Sequence, residues 1–491
     1  MEENKSRMEY DDICKFIDSI ENYSDEEIYE KLDYIIWYLQ QVHLYDLVNK
    51  FKLLAIKTIN DLNIKIELIK KFYYKDNLYR DYCYNWNSII LSIDNLEEKD
   101  KIIIFKQLFS NYTFDENLQT LNIPTNLKFG IELEYCKVSF TEIQKIFETK
   151  TLTTIMKSLS IPIYLISKIT NNSDFEKENE FSKWIFSKET DDDLPEASSP
   201  IMTNTLDNLN QIKAICMIFK VLGAQIHGGT GLHINIGVDY FNGNIDALKY
   251  LLIIWSECEE LFFEISNKEN DEIRVCANTM SNPIKANIQK TFEENNRIVL
   301  NNEEDFTRFM YNIQVRERLN DLFGFSHGDL EFELMHANTE EEKYVIFKKY
   351  LEEKSDDDTS IRYTSVNFNH MTWHKNDKGR IEFRLFNSSL DFETIMQNIL
   401  LISKLFQTSL ELANNSKTKQ QYFTEFLNDN VSEEEKLNLL LNLLFDNEEE
   451  KEIFKKRWIS VKDKSSYKKF YTGRKTFITD EKVSCLEKNQ S

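Results

Sequence analysis

The chain has 491 residues and a formal net charge of −23, from 83 Asp and Glu against 60 Lys and Arg. That excess argues against a general nucleic-acid binder, whose phosphate contacts need clustered cations, and against docking on an anionic membrane surface. Hydrophobic residues make up 41% and charged residues 29%, an ordinary globular balance, and the length accommodates about two to four domains, each with its own core.

The N-terminus, "MEENKSRMEYDD", lacks the apolar core of a signal peptide. Residues 1–123 contain neither glycine nor proline, and apolar residues recur at helical spacing, as in "EEIYEKLDYIIWYLQQVHLYDLVNKFKLLAI". This predicts an all-helical N-terminal domain over 1–123, of about five helices, with scaffolding, oligomerisation or partner recognition as its roles. Pro124 and Gly130 mark a change of texture, and an α+β region is expected from 124 to 410. Six of the 11 glycines fall between Gly223 and Gly243, which signals tight turns or close backbone approach.

Three stretches in this centre read as strands of an antiparallel sheet with one face on a core. In "KFGIELEYC", Phe129, Ile131, Leu133 and Tyr135 alternate with Glu132 and Glu134; in "GLHINIGV", His233 and Asn235 lie opposite the aliphatic side chains; in "GRIEFRLF", Ile381, Phe383 and Leu385 alternate with Arg380, Glu382 and Arg384. The window "LKYLLIIW" is too short to span a bilayer and reads as a buried helix. From about 392 the chain is helical again, 411–491 forming a helical C-terminal region with a frayed Lys- and Ser-rich tail. The seven cysteines (Cys14, Cys83, Cys136, Cys216, Cys258, Cys276 and Cys485) show no CxxC spacing. Reduced thiols in a cytoplasm fit better than disulfides or a zinc site.

If the three strands are neighbours, their polar faces combine carboxylates and an imidazole, which suit a hard divalent cation, with guanidinium groups, which suit phosphate oxygens. Such a face fits a metal–nucleotide site for phosphoryl transfer. Each motif also has a plain reading: a solvated outer face, a turn or core histidine, a surface charge ladder. "DLEFELMH" repeats the ExE pattern at Glu331 and Glu333 and shows how readily it arises in so acidic a chain.

Together "FGIELEY", "EASSPI", "GTGLHINIGV", "RYTSVNF" and "RIEFRLFNSSLD", in this order over roughly 127–410, resemble the amidoligase family. Its members are carboxylate–amine ligases with the fold of glutamine synthetase and glutamate–cysteine ligase. The resemblance implies an ATP-dependent enzyme that joins a carboxylate substrate to an amine substrate through an acyl phosphate, using two or three Mg2+ or Mn2+ ions. Carried over by motif, Glu132, His233 and Glu382 would hold one ion. Glu134 and Glu196 would hold another, with Glu189 as a further ligand and Asp191, Asp192 and Asp193 as its rivals. Glu382, Arg380 and Arg384 would act in catalysis, the two arginines on phosphate oxygens or the acyl phosphate, and Arg384 also on the substrate carboxylate. His233, Asn235, Arg380 and Gly231 would contact the nucleotide. Asn235 stands where the family usually has a second histidine, and Asn367 and Arg274 fall in family-like positions. The resemblance leaves room for a homo-oligomer, a phosphotransferase of the guanidino-kinase kind, an inactive nucleotide-binding or scaffolding protein, and a metal-dependent hydrolase.

Overall fold

A computed structural model describes residues 10–73, 86–115, 118–148, 150–165, 169, 183–188, 195–226, 230–266, 308, 336–339, 341–343, 345–346, 365–368, 379–427 and 431–461. Glu189, Asp191, Asp192, Asp193, Arg274, Glu331, Glu333 and the Lys- and Ser-rich tail lie outside the described residues.

Six α-helices, rather than about five, occupy the described N-terminal residues: α1 (Tyr10–Asp18), α2 (Asp25–Gln41), α3 (Tyr45–Thr58), α4 (Leu62–Tyr73), α5 (Trp86–Ile93) and α6 (Glu98–Leu108). α2 starts on a reciprocal cap, in which the Ser24 hydroxyl accepts from Glu27 N–H and the Glu27 carboxylate accepts from Ser24 N–H. α3 ends on a less usual cap. The fully buried Lys65 of α4 donates its ammonium to the carbonyls of Ile56 at 2.5 Å and Lys57 at 3.3 Å, satisfying acceptors that a helix C-terminus leaves open. Trp86 donates its indole N–H to the Leu222 carbonyl at 2.8 Å, tying this region to the centre of the chain.

The centre runs β1 (Phe129–Glu134), α7 (Phe140–Glu148), α8 (Lys150–Ser158), β2 (Ile185–Lys188), β3 (Pro195–Ser198), α9 (Leu206–Leu222), β4 (Gly231–Gly237), α10 (Ile245–Ile265), β5 (Val366–Asn367) and β6 (Arg380–Asn387). The strands form one six-stranded sheet in the order β2-β3-β1-β4-β6-β5, every pairing antiparallel. The fold is α+β. α9 stops at Gly223, whose φ of 83° is the left-handed turn that glycine adopts freely.

One face of the sheet is apolar throughout. Ile131, Leu133, Ile234, Ile236, Ile381 and Phe383 are at most 1% exposed. α10 and α11 (Phe392–Ala413) cover that face. Trp255 meets Phe383 at 5.2 Å between ring centroids, and Phe406 meets it at 6.0 Å. "LKYLLIIW" falls in α10 and is largely buried, as its composition suggests. α11 runs unbroken past position 410, where the sequence alone suggests a boundary, and α12 (Lys417–Phe426), α13 (Glu433–Leu444) and α14 (Glu448–Val461) follow it. No described helix is long and apolar enough to cross a membrane.

Burial lowers the Lys65 ammonium to about 8 from its ordinary 10.5, with Asp25 opposing the shift. The unfolded chain therefore binds a proton that the folded chain releases between pH 8 and 10.5, and this group makes stability rise across that window. Chemical unfolding of wild type and Lys65→Met from pH 7 to 11 is expected to show wild type gaining on the variant as pH rises. A constant difference between the two curves would rule out the buried ammonium.

Candidate functional site

The other face of the sheet carries the polar and charged side chains. Residues paired across antiparallel strands share a face, so the register fixes who meets whom. Glu132 stands opposite His233 on one side and Ser198 on the other; Glu134 stands opposite Glu196. Asn235 stands opposite Glu382, which in turn faces Asn367. Between β4 and β6 the register shifts: Ile234 pairs with Phe383 but Leu232 pairs with Phe386. Arg384 and Leu385 together thus oppose His233, a two-for-one bulge. Strict alternation along "RIEFRLF" would put Phe386 on the polar face. The extra residue returns it to the apolar face, where it is fully buried.

His233 sits at the hub. Its Nδ1 lies 2.9 Å from Glu132 Oε2 and 3.2 Å from Glu382 Oε1, and its Nε2 lies 3.3 Å from Glu134 Oε1, without hydrogen-bond alignment at Nε2. Arg384 Nη1 donates to Glu382 Oε1 at 2.5 Å and lies 3.3 Å from His233 Nδ1. Asn367 holds the other oxygen of Glu382, donating from Nδ2 at 2.8 Å. Asn235 links two charges: its Nδ2 donates to Glu132 Oε1 at 2.9 Å, and its Oδ1 accepts from Arg380 Nε at 3.1 Å. Ser198 donates to Glu196 Oε1 at 2.6 Å. The Gly231 N–H donates to Glu134 Oε2 at 2.5 Å.

The cluster is dry. His233, Glu134 and Glu382 are 1–3% exposed, and Arg384 is 5% exposed. The Glu132 side chain, at 22%, is open to a cleft. That cleft has a volume of about 190 Å³ and is lined by Gly130, Glu132, Ser198, Ser199, Asn235 and Arg380, among others. A Cβ at Gly130 would stand 3.5 Å from Ser199 Oγ and 4.0 Å from Asn235 Cβ, so the missing side chain leaves the cleft floor open.

Burial and opposite charge compete here. For Glu132, burial is the largest influence and works upward. The His233 hydrogen bond and charge, with Arg380 and Arg384 behind them, overcome it and hold the carboxyl well below the usual carboxylate range. For His233, burial and then Arg384 work downward. The hydrogen bond to Glu132 and the close, charged Glu134 carboxylate outweigh them, and the imidazolium is held up to about 9. A protonated His233 and Arg384 are thus the cations inside the carboxylate cluster.

Of the residues singled out from sequence, Glu132, Glu134, Glu196, His233, Asn235, Glu382, Arg380 and Arg384 all meet on this one face. Ser198 escaped attention, although its place two residues after Glu196 in "EASSP" was the available signal. Glu132, His233 and Glu382 can offer one ligand atom each, all within 4.8 Å of one another. No family model matches the chain, and no curated protein matches it.

In metal-free protein, His233 binds a proton up to about pH 9, whereas its ordinary value is 6.5. Its contribution to stability is therefore complete below about pH 6.5 and is lost as pH rises through 9. Guanidinium unfolding in the presence of chelator, pH 6 to 10, is expected to show wild type losing stability relative to His233→Gln over that interval. Parallel curves would remove the imidazolium from the cluster.

Proposed function

We propose that the chain is an ATP-dependent carboxylate–amine ligase of the amidoligase type, with a catalytic core like that of glutamine synthetase. The observation that carries this reading is the convergence of Glu132, His233 and Glu382, from three strands, on one point of a buried sheet face. The donor set fits Mg2+ or Mn2+ on spacing as well as chemistry. Two ligands at right angles around an ion roughly 2.1 Å away are about 3 Å apart, and the His233–Glu132 and His233–Glu382 separations are 2.9 and 3.2 Å.

Bound divalent ions would supply positive charge against the charge that develops as the terminal phosphoryl group of ATP moves to a carboxylate oxygen. The chain's own residues do the rest. Glu132, His233 and Glu382 would hold one ion. Glu134 and Glu196, neighbours across β1 and β3, would hold a second. To ligate through Nδ1, His233 gives up its proton, so loading releases one. Arg380, at the cleft and steadied by Asn235, takes phosphate oxygens. Arg384, buried beside Glu382, meets the phosphoryl group in transfer or the substrate carboxylate with its planar fork. The amine nitrogen then attacks the acyl carbon, the bond to phosphate oxygen breaks, and inorganic phosphate leaves. The dry surroundings protect the acyl phosphate from water.

The test is an ADP and phosphate release screen with MgATP or MnATP over pooled acids and amines. Wild type is expected to release both products only when acid and amine are present together. Glu132→Gln and Glu382→Gln are expected to lower turnover by about 100-fold or more, the scale for removing one preorganised electrostatic group. Phosphate retained on the acceptor would mark a guanidino-kinase-like phosphotransferase, and ATP bound without turnover a nucleotide-binding scaffold. Either result overturns the ligase. Arg384→Lys keeps the charge but loses the fork, and kcat is expected to fall more than KM rises; an unchanged kcat would take Arg384 out of the transition state.

A further inference from the structure

A fully buried carboxylate lies on the apolar side of the sheet, behind the site. Glu259 of α10 has no exposed surface, a costly position unless its oxygens are hydrogen-bonded. Its Oε1 accepts from the indole N–H of Trp255 at 3.1 Å and, in a short bond, from the hydroxyl of Ser365. Trp255 and Glu259 are four residues apart and share a helix face. The Trp255 ring packs 5.2 Å from Phe383 of β6. α10 leaves helical geometry at Cys258 (φ −133°, ψ 16°), the residue before Glu259. Kinks of this kind have local causes, and this one falls where the helix places a carboxylate under the sheet.

Ser365 passes the contact forward. Its carbonyl accepts from Arg384 N–H at 2.9 Å, inside the bulge. Two residues on, Asn367 donates to Glu382 Oε2. β5 is two residues long and, among the described residues, pairs with β6 alone. So short an edge strand has little ladder of its own to fix its place.

We propose that Glu259 is a positioning residue for the site on the opposite face: through Ser365 it pins β5 and the β6 bulge, and so sets the orientation of Glu382 and Arg384 toward a divalent cation and its phosphate. The role given to Glu382 and Arg384 rests on the ligase reading; the mechanical link does not. Removing this support loosens Glu382 without removing a ligand. The expected loss in cation affinity is about 3- to 10-fold, below the 10- to 100-fold typical when a direct partner of a ligand is lost.

The full-length wild type, Glu259→Leu, Ser365→Ala and the double variant are compared by hydrogen–deuterium exchange and by Mn2+ titration followed by electron paramagnetic resonance. Each single variant is expected to speed exchange in peptides covering 365–368 and 380–387, leave 129–134 unchanged, and weaken Mn2+ binding about 3- to 10-fold. The double variant is expected to be no worse than either single, because both act through one hydrogen bond. Unchanged exchange at 365–368 overturns the proposal, as does acceleration shared equally by 129–134, or undiminished Mn2+ affinity in the variants of a wild type that binds it. If Glu259→Leu does not fold, Ser365→Ala breaks the same bond from the strand side. If wild type binds no Mn2+, the ligase reading falls, and the exchange pattern still decides the link.

Discussion

Buried carboxylates repel, and cations must stand among them. Glu132, Glu134, Glu196 and Glu382 share one sheet face, and the last three are at most 9% exposed. Two like charges about 4 Å apart at an effective dielectric of about 20 cost roughly 4 kcal/mol, more than any single hydrogen bond on this face returns. Arg384 answers part of that charge and the proton on His233 another part. Arg384 lies against Glu382 and His233, and the His233 proton lies between the ligand atoms of Glu132 and Glu382. A divalent ion held there would replace that proton and leave Arg384 in place. A solvated ExE face would have no need of either.

Everything that brings these groups together is register. A slip of one residue along any strand would send its carboxylates to the helices and its isoleucines to the cleft. The apolar face guards against that slip, since Phe383 is wedged between Trp255 and Phe406 and losing such a buried aromatic costs about 3–5 kcal/mol. Among the described strands, the bulge is the one place where the rule of two is broken. It adds Leu385 opposite His233, which lets Arg384 stay on the polar face while the chain beyond it realigns its apolar side chains with the core.

How far the chain could be read follows from the physics of each element. β1, β4 and β6 were legible because one of their faces is apolar and the other polar, giving a period of two. The N-terminal helices were legible because a 123-residue stretch without glycine or proline leaves little but the helical period. β2, β3 and β5, at four, four and two residues, are too short to carry a period. The bulge defeats alternation by construction. Glu259 reads as one more polar residue on an amphipathic helix, and its partner Ser365 is 106 positions away. Nor does the sequence tell that the Gly231 N–H meets Glu134, since a backbone donor has no residue type. Neighbourhood across the sheet was likewise hidden: Glu132 and His233 are 101 positions apart, His233 and Arg384 151.

Asn235 shows why an amide suits its position. It donates to Glu132 and accepts from Arg380 at once. An imidazole there could do both only while neutral, because a protonated ring has no acceptor to offer Arg380. With an amide, the Arg380–Asn235–Glu132 link keeps its donors and acceptors at any pH at which Glu132 is ionised. His233 is left to carry the proton, held up to about 9. The two side chains project from β4 two residues apart on the same face, yet one is a fixed strut and the other a titrating hub, and this division lets the hub change protonation without loosening the arginine beside the cleft.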